Sequence, residues 1–152
     1  MGRKCSLSPQ ITLPTPVGAF ASATPRLINV SVMKDIAEGG SLSAGFVIGG
    51  ATAKTVLVRA IGPGLAPFGV FNTMADPQLA LFGGATRLME NDNWGGDAAL
   101  ATAAARVWAF AIANSSSKDA MLLVTLAPGN YTAQVSGATG GGTVLVEVYE
   151  VP

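Results

Sequence analysis

The side chains best suited to chemistry gather in one stretch, Glu90-Asn91-Asp92-Asn93-Trp94-Gly95-Gly96-Asp97. Five oxygen-bearing side chains within eight residues, interrupted by glycines, can wrap a hard cation such as Ca²⁺, which takes about six to eight oxygen ligands. Asp76, at the head of the preceding apolar segment, is a further oxygen donor for such a loop. The stretch is not an EF-hand, because the Asp-x-Asp-x-Asp-Gly register and the distal Glu are missing. The same composition also reads as a turn: Asn and Asp bond their own backbone, and Asp97 ahead of an alanine-rich run is suited to cap a helix. Trp94 is either a lid on the core or an exposed aromatic able to stack on a sugar ring.

What is missing excludes more. The chain has no histidine and a single cysteine, Cys5. That removes Ser-His-Asp and Cys-His catalysis, histidine-based zinc sites and any internal disulfide. Cys5 remains as a free thiol, an intermolecular bridge or a lipidation point. The carboxylates of Asp119, Glu147 and Glu150 are not spaced as an acid/base pair, so a non-enzyme is expected. Gly62-Pro63-Gly64 lacks the Lys-Ser/Thr pair of a phosphate cradle and reads as a turn. Nine basic and nine acidic residues give a net charge of zero. Nucleic acid, which demands a surplus of Lys and Arg, is thereby disfavoured, as is an anionic lipid surface. No apolar run approaches the roughly 18 residues of a membrane-spanning helix.

The elements that must position these groups are strands. With 152 residues, 19 glycines and 9 prolines, and few helical periods, the chain suits one all-β sandwich of antiparallel strands. Its C-terminal end organises the rest. Ala120 to Leu126 is a short apolar run; Pro128-Gly129 then predicts a type II turn. Tyr131, Ala133 and Val135 alternate with Thr132 and Gln134, the period of a half-buried strand. Glycines between 137 and 142 supply a hairpin loop, and 143 to 151 returns apolar on both faces, as expected of a strand inside a sheet or under a cover. Upstream, Leu27 to Met33, Leu42 to Ile48 and Thr55 to Ile61 read as strands, and Pro77 to Phe82 pairs with Thr86 to Glu90 as a hairpin. Phe68, Val70 and Phe71 are expected to plug one end of the sandwich. Asp97 to Trp108 is the one short alanine-rich helix, with Leu100, Ala104, Val107 and Trp108 on a common face. GATAKTVLVRA at 50 to 60 nearly repeats GATGGGTVLVEV at 137 to 148, which reads as two hairpins of similar design.

Residues 1–25 differ in character from the domain expected over 26–152. Ala21-Ser22-Ala23 has the shape of a signal-peptidase site, but Pro9, Gln10, Pro14 and Pro16 interrupt the apolar core a signal peptide needs. A linker from a larger surface protein is the favoured reading. A third reading is a donated strand: Ile11, Leu13, Val17 and Ala19 recur on an alternating pattern that could add to the sheet of a neighbouring molecule.

The succession GFVIGG, KTVLVRAIGPGLAPFGV, ADPQLALF, NDNWGG, SKDAMLLVTLAPGNYTAQVSG and GTVLVEVYEV resembles a recurrent module of bacterial secreted and surface proteins. From Asp76 onward it is similar to the bacterial pre-peptidase C-terminal family, in a DP-led strand, an Asn/Asp-rich turn and an APGxYTxxVxG segment. Gly62 to Thr73 and the alanine-rich segment have no counterpart in that pattern. The resemblance implies a jelly-roll-like β-sandwich, an extracellular or cell-surface location and a non-catalytic role beside secreted enzymes and adhesins. Since some members bind calcium, it also implies Asp76, Asn91 and Asp92 as ion ligands. Two functions follow as expectations. One is a structural or adhesive module that self-associates, as a homo-oligomer or filament, or attaches to other surface proteins. The other is a calcium-stabilised accessory binding module of a secreted enzyme, directed to a glycan through Trp94.

Overall fold

The computed structural model describes residues 29–152. Eight strands form the body: β1 (Asn29–Ile36), β2 (Ser41–Ile48), β3 (Lys54–Ile61), β4 (Pro77–Gly83), β5 (Thr86–Asn91), β6 (Ala120–Leu126), β7 (Gly129–Gly137) and β8 (Gly142–Val151). One helix, α1 (Ala98–Arg106), lies between β5 and β6, and a short 3-10 turn, Pro63–Phe68, follows β3. The strands make two four-stranded antiparallel sheets, ordered β1-β8-β3-β6 and β2-β7-β4-β5.

That order is a jelly roll. The pairs β1–β8, β2–β7, β3–β6 and β4–β5 nest like one long folded hairpin. Rolling it sets β8 beside β3 and β7 beside β4, the two-sheet solution that limits open edges in an antiparallel protein.

Alternation along each strand assigns the faces. Val56, Val58 and Ala60 of β3, Val144 and Val146 of β8, Leu79 and Leu81 of β4, and Ala133 and Val135 of β7 fill the space between the sheets. Each large aliphatic side chain so buried contributes roughly 1.5–3 kcal/mol of transfer free energy. The odd-numbered neighbours on the first sheet face outward, yet they too are buried. Leu57, Tyr149 and Val151 pack against Ala103 and Ala104 of α1 and Val107 at its C-cap, while Ile61 and Met121 pack against Leu65 and Trp94. The molecule is therefore layered as sheet, sheet and an outer cover of helix and loops. β8 carries apolar groups on both faces because it lies inside a sheet and beneath that cover.

Several expectations need correction. β6, β7 and β8 are three consecutive strands, but each crosses to the opposite sheet, so none of them forms a hairpin with the next. Gly129 is not at positive φ; it begins β7 opposite Ile48, so there is no type II turn at Pro128-Gly129. The Tyr131 hydroxyl closes this arch instead, donating to the Ala127 carbonyl at 2.9 Å. The two near-repeats are likewise arches between sheets rather than hairpins, and they deliver the neighbouring strands β3 and β8. The β4–β5 hairpin across Gly83-Gly84 stands as read. Phe68 and Phe71 do not plug the sandwich: they are 62% and 87% exposed, and Val70 alone of the three packs on the core. Trp108 leaves the buried face of the helix because the chain turns to φ 59 after the last turn, and it is 91% exposed.

Candidate functional site

The Asn/Asp-rich stretch is built as a turn that ties β5 to β6 and starts α1. The Asn91 side chain accepts from Met121 N and donates to Asn93 O, each at 3.0 Å. Gly95 and Gly96 adopt positive φ, and Asp97 caps α1 by accepting from Ala99 N at 2.7 Å and Leu100 N at 3.2 Å. Asp76 lies 3.8 Å from Lys118 Nζ, and one of its carboxylate oxygens is buried without a hydrogen bond. Asp92 is exposed. Leu79, rather than Asp76, stands opposite Asn91 in the β4–β5 ladder. Of the three, Asp76 and Asp92 offer carboxylates, and the Asn91 amide oxygen is already engaged by Met121 N. Among the described residues no three Asp, Glu, His or Cys side chains come together as a metal site.

Trp94 is 8% exposed and packs with Ile61, Leu65 and Met121, so its ring lies in the cover over the first sheet, the core-lid alternative. Ile11, Leu13, Val17 and Ala19 lie outside the described residues.

Sequence reasoning missed a buried ionic cluster. Arg59 of β3 and Glu147 of β8 are cross-strand partners on the covered face, 0% and 6% exposed. Tyr149 donates to Glu147 Oε1 at 2.7 Å, and the Phe110 ring lies 4.4 Å from the guanidinium carbon. Burial pushes the Arg59 pKa down, and Glu147, Tyr149 and Asp119 oppose that shift. Nearby, Asp119 Oδ1 accepts from Gly62 N at 2.8 Å and Gly64 N at 3.1 Å, while Ser117 Oγ donates to Oδ2. A Cβ at Gly62 would stand 2.1 Å from the Met74 carbonyl, so the GPG segment is a close backbone approach held by a carboxylate. The cluster is sealed from solvent and acts as a fastening between sheet and cover.

Two of the open surfaces among the described residues bear on function. One is the outer face of the β2-β7-β4-β5 sheet, where a cleft of about 430 Å³ is lined by Gln78, Phe82, Arg87, Glu90, Gln134 and Ser136. The other is the side on which edge strands β1 and β2 meet. β1 exposes Val30 at 53%, Val32 at 38% and Met33 at 55%, and Val47 of β2 is 69% exposed. Between these strands runs a groove of about 330 Å³ with Val56 and Val148 among its lining. Of the opposite edges, β6 is largely buried, and β5, exposed along most of its length, carries the Arg87–Glu90 ion pair and abuts a bulge at Leu81/Phe82. Charges and bulges are common defences of a free edge.

No protein-family model matches the chain, and no curated protein does. Among solved structures it is similar to the pre-peptidase C-terminal domain of a collagenase from Bacillus anthracis, at 14% identity and a TM-score of 0.49, over 80% of this chain and 89% of that one. It is also similar to part of a family GH115 4-O-methyl-α-glucuronidase with specificity for decorated arabinogalactans, at 15% identity and a TM-score of 0.38. That likeness covers 99% of this chain and 20% of the glucuronidase.

Proposed function

We propose that this chain is a non-catalytic structural module of the cell surface or extracellular space that works by associating with a second copy of itself through the β1–β2 side. The observation that carries this reading is β1. It is an eight-residue strand at the edge of its sheet, with one side of its ladder unpaired among the described residues, and it is exposed on both faces along most of its length. Val30, Val32 and Met33 project from it, and its charges, Lys34 and Asp35, sit together near its end. A long apolar edge of this kind is a template for another strand. β2 extends the surface without adding a charged side chain. The absence of histidine and the burial of the Arg59–Glu147–Asp119 group support a non-catalytic role.

Sedimentation velocity of the full chain, of Met33→Lys and Val30→Lys, and of a chain lacking residues 1–23 tests the reading. Oligomers in the full chain that dissociate in the lysine variants are expected. Oligomers that vanish on truncation alone would identify the 11–19 stretch as the added strand. Monomers at every micromolar concentration tried would sink the proposal.

A further inference from the structure

We propose that the cleft on the outer face of the β2-β7-β4-β5 sheet binds a neutral, hydroxyl-rich ligand, an oligosaccharide. This is separate from association through the β1–β2 side: the cleft is lined by β4, β5 and β7.

The cleft follows from the side chains that alternation turns outward on β4. Buried Leu79 and Leu81 point to the core, which leaves Gln78, Ala80 and Phe82 facing out. A small residue between two long ones makes a depression, with Ala80 as its floor. On β7, Ser136 stands opposite Gln78 and Gln134 opposite Ala80. The two glutamines are thus diagonal neighbours, about 7–8 Å apart between strands, and both border that floor, Gln134 across from Ala80 and Gln78 two residues before it. Phe82 lies two residues further along β4 and lines the same cleft.

The chemistry selects the ligand. An amide carries donors and an acceptor, and a hydroxyl carries both as well. A patch of Gln78, Gln134 and Ser136 therefore suits partners that donate and accept at each position, as sugar hydroxyls do. Phe82 adds an aromatic face for the apolar side of a sugar ring. An anion is disfavoured, because the one cation of the lining, Arg87, is paired with Glu90 at 2.7 Å and Asp92 adds negative charge to the lip. The volume of about 430 Å³ lies within the roughly 300–1,000 Å³ of small-ligand sites.

The test is a ¹⁵N-resolved NMR titration of the full chain with cello-, xylo-, manno- and maltohexaose, beside a galacturonic acid oligomer as the charged control. Expected is a shift of β4 and β7 amides by at least one neutral hexaose. Gln78→Ala/Gln134→Ala should weaken that binding about tenfold. Ala80→Leu, which fills the floor while leaving every polar group in place, should abolish it. Both variants should melt near the parent temperature, since the positions face outward. The proposal is overturned if no neutral hexaose shifts these amides at about 10 mM, if only the charged oligomer does, or if binding survives both variants.

Discussion

Arg59 and Glu147 stand directly opposite each other on β3 and β8, both buried, with Nε and Oε2 3.4 Å apart. They occupy the same place in the near-repeat, after Thr55-Val56-Leu57-Val58 and after Thr143-Val144-Leu145-Val146. Antiparallel pairing of the two strands brings this charge difference between the repeats face to face. The guanidinium nitrogens make no hydrogen bond, so attraction to Glu147 and the Phe110 face is what offsets the loss of water around Arg59.

Removing one partner should therefore cost more than removing both. Arg59→Met or Glu147→Gln alone is expected to destabilise by about 3–5 kcal/mol, because each leaves a buried group without its partner. Arg59→Met with Glu147→Leu should recover most of that loss, as apolar groups of similar volume do in place of a buried pair. Urea unfolding of the four proteins decides it. Single variants that cost under about 1 kcal/mol would show that the pair is hydrated.

Tyr149 gives the cluster a pH signature. Burial, and then its hydrogen bond to Glu147, pushes its phenol up to about 12 from an ordinary 10.0. Because the folded-state value is raised, the stabilisation is fully present below pH 10 and is lost as pH rises through about 12. Unfolding free energy should fall across that window in the parent protein, and Tyr149→Phe should flatten the slope. Equal slopes in the two proteins would assign the alkaline loss to other groups.

Most strands were legible because burial on one face imposes a period of two, as in Ala133 and Val135 against Gln134. Which sheet a strand joins was not legible, since alternation says which side is buried but not against whom. The short link from Leu126 to Gly129 looks the same whether it bends within a sheet or arches across. Asp97 could be read as a cap from the alanine run that follows it. Trp108 could not be read as exposed, because its apolar spacing continues the helix face while its backbone has already left the helix. The cleft escaped notice for a related reason. Gln78 and Gln134 are ordinary polar positions of distant strands, and the β4–β7 register alone makes them neighbours.

Asp119 should matter through its acceptors rather than its charge. Asp119→Ala leaves Gly62 N and Gly64 N without their partner, and each unpaired buried group costs about 1–3 kcal/mol. Asp119→Asn keeps a carbonyl oxygen for both amides and should retain more than half of the stability lost in the alanine variant. Thermal melts compare the two directly. Equal losses would mean that the negative charge beside Arg59 is what counts.

The cap of α1 provides a local test of how firmly the outer cover is held. Asp97→Ala removes the acceptor for Ala99 N and Leu100 N and should cost about 1 kcal/mol, while Asp97→Ser, a good cap itself, should cost less. Since Ala103, Ala104 and Val107 seal Leu57 and Tyr149, fraying of α1 should expose the outward side of the first sheet before the space between the sheets opens. Hydrogen exchange should then speed up in α1 of Asp97→Ala while β4 and β7 stay protected. Uniform acceleration across both sheets would show instead that helix and sandwich unfold as one unit.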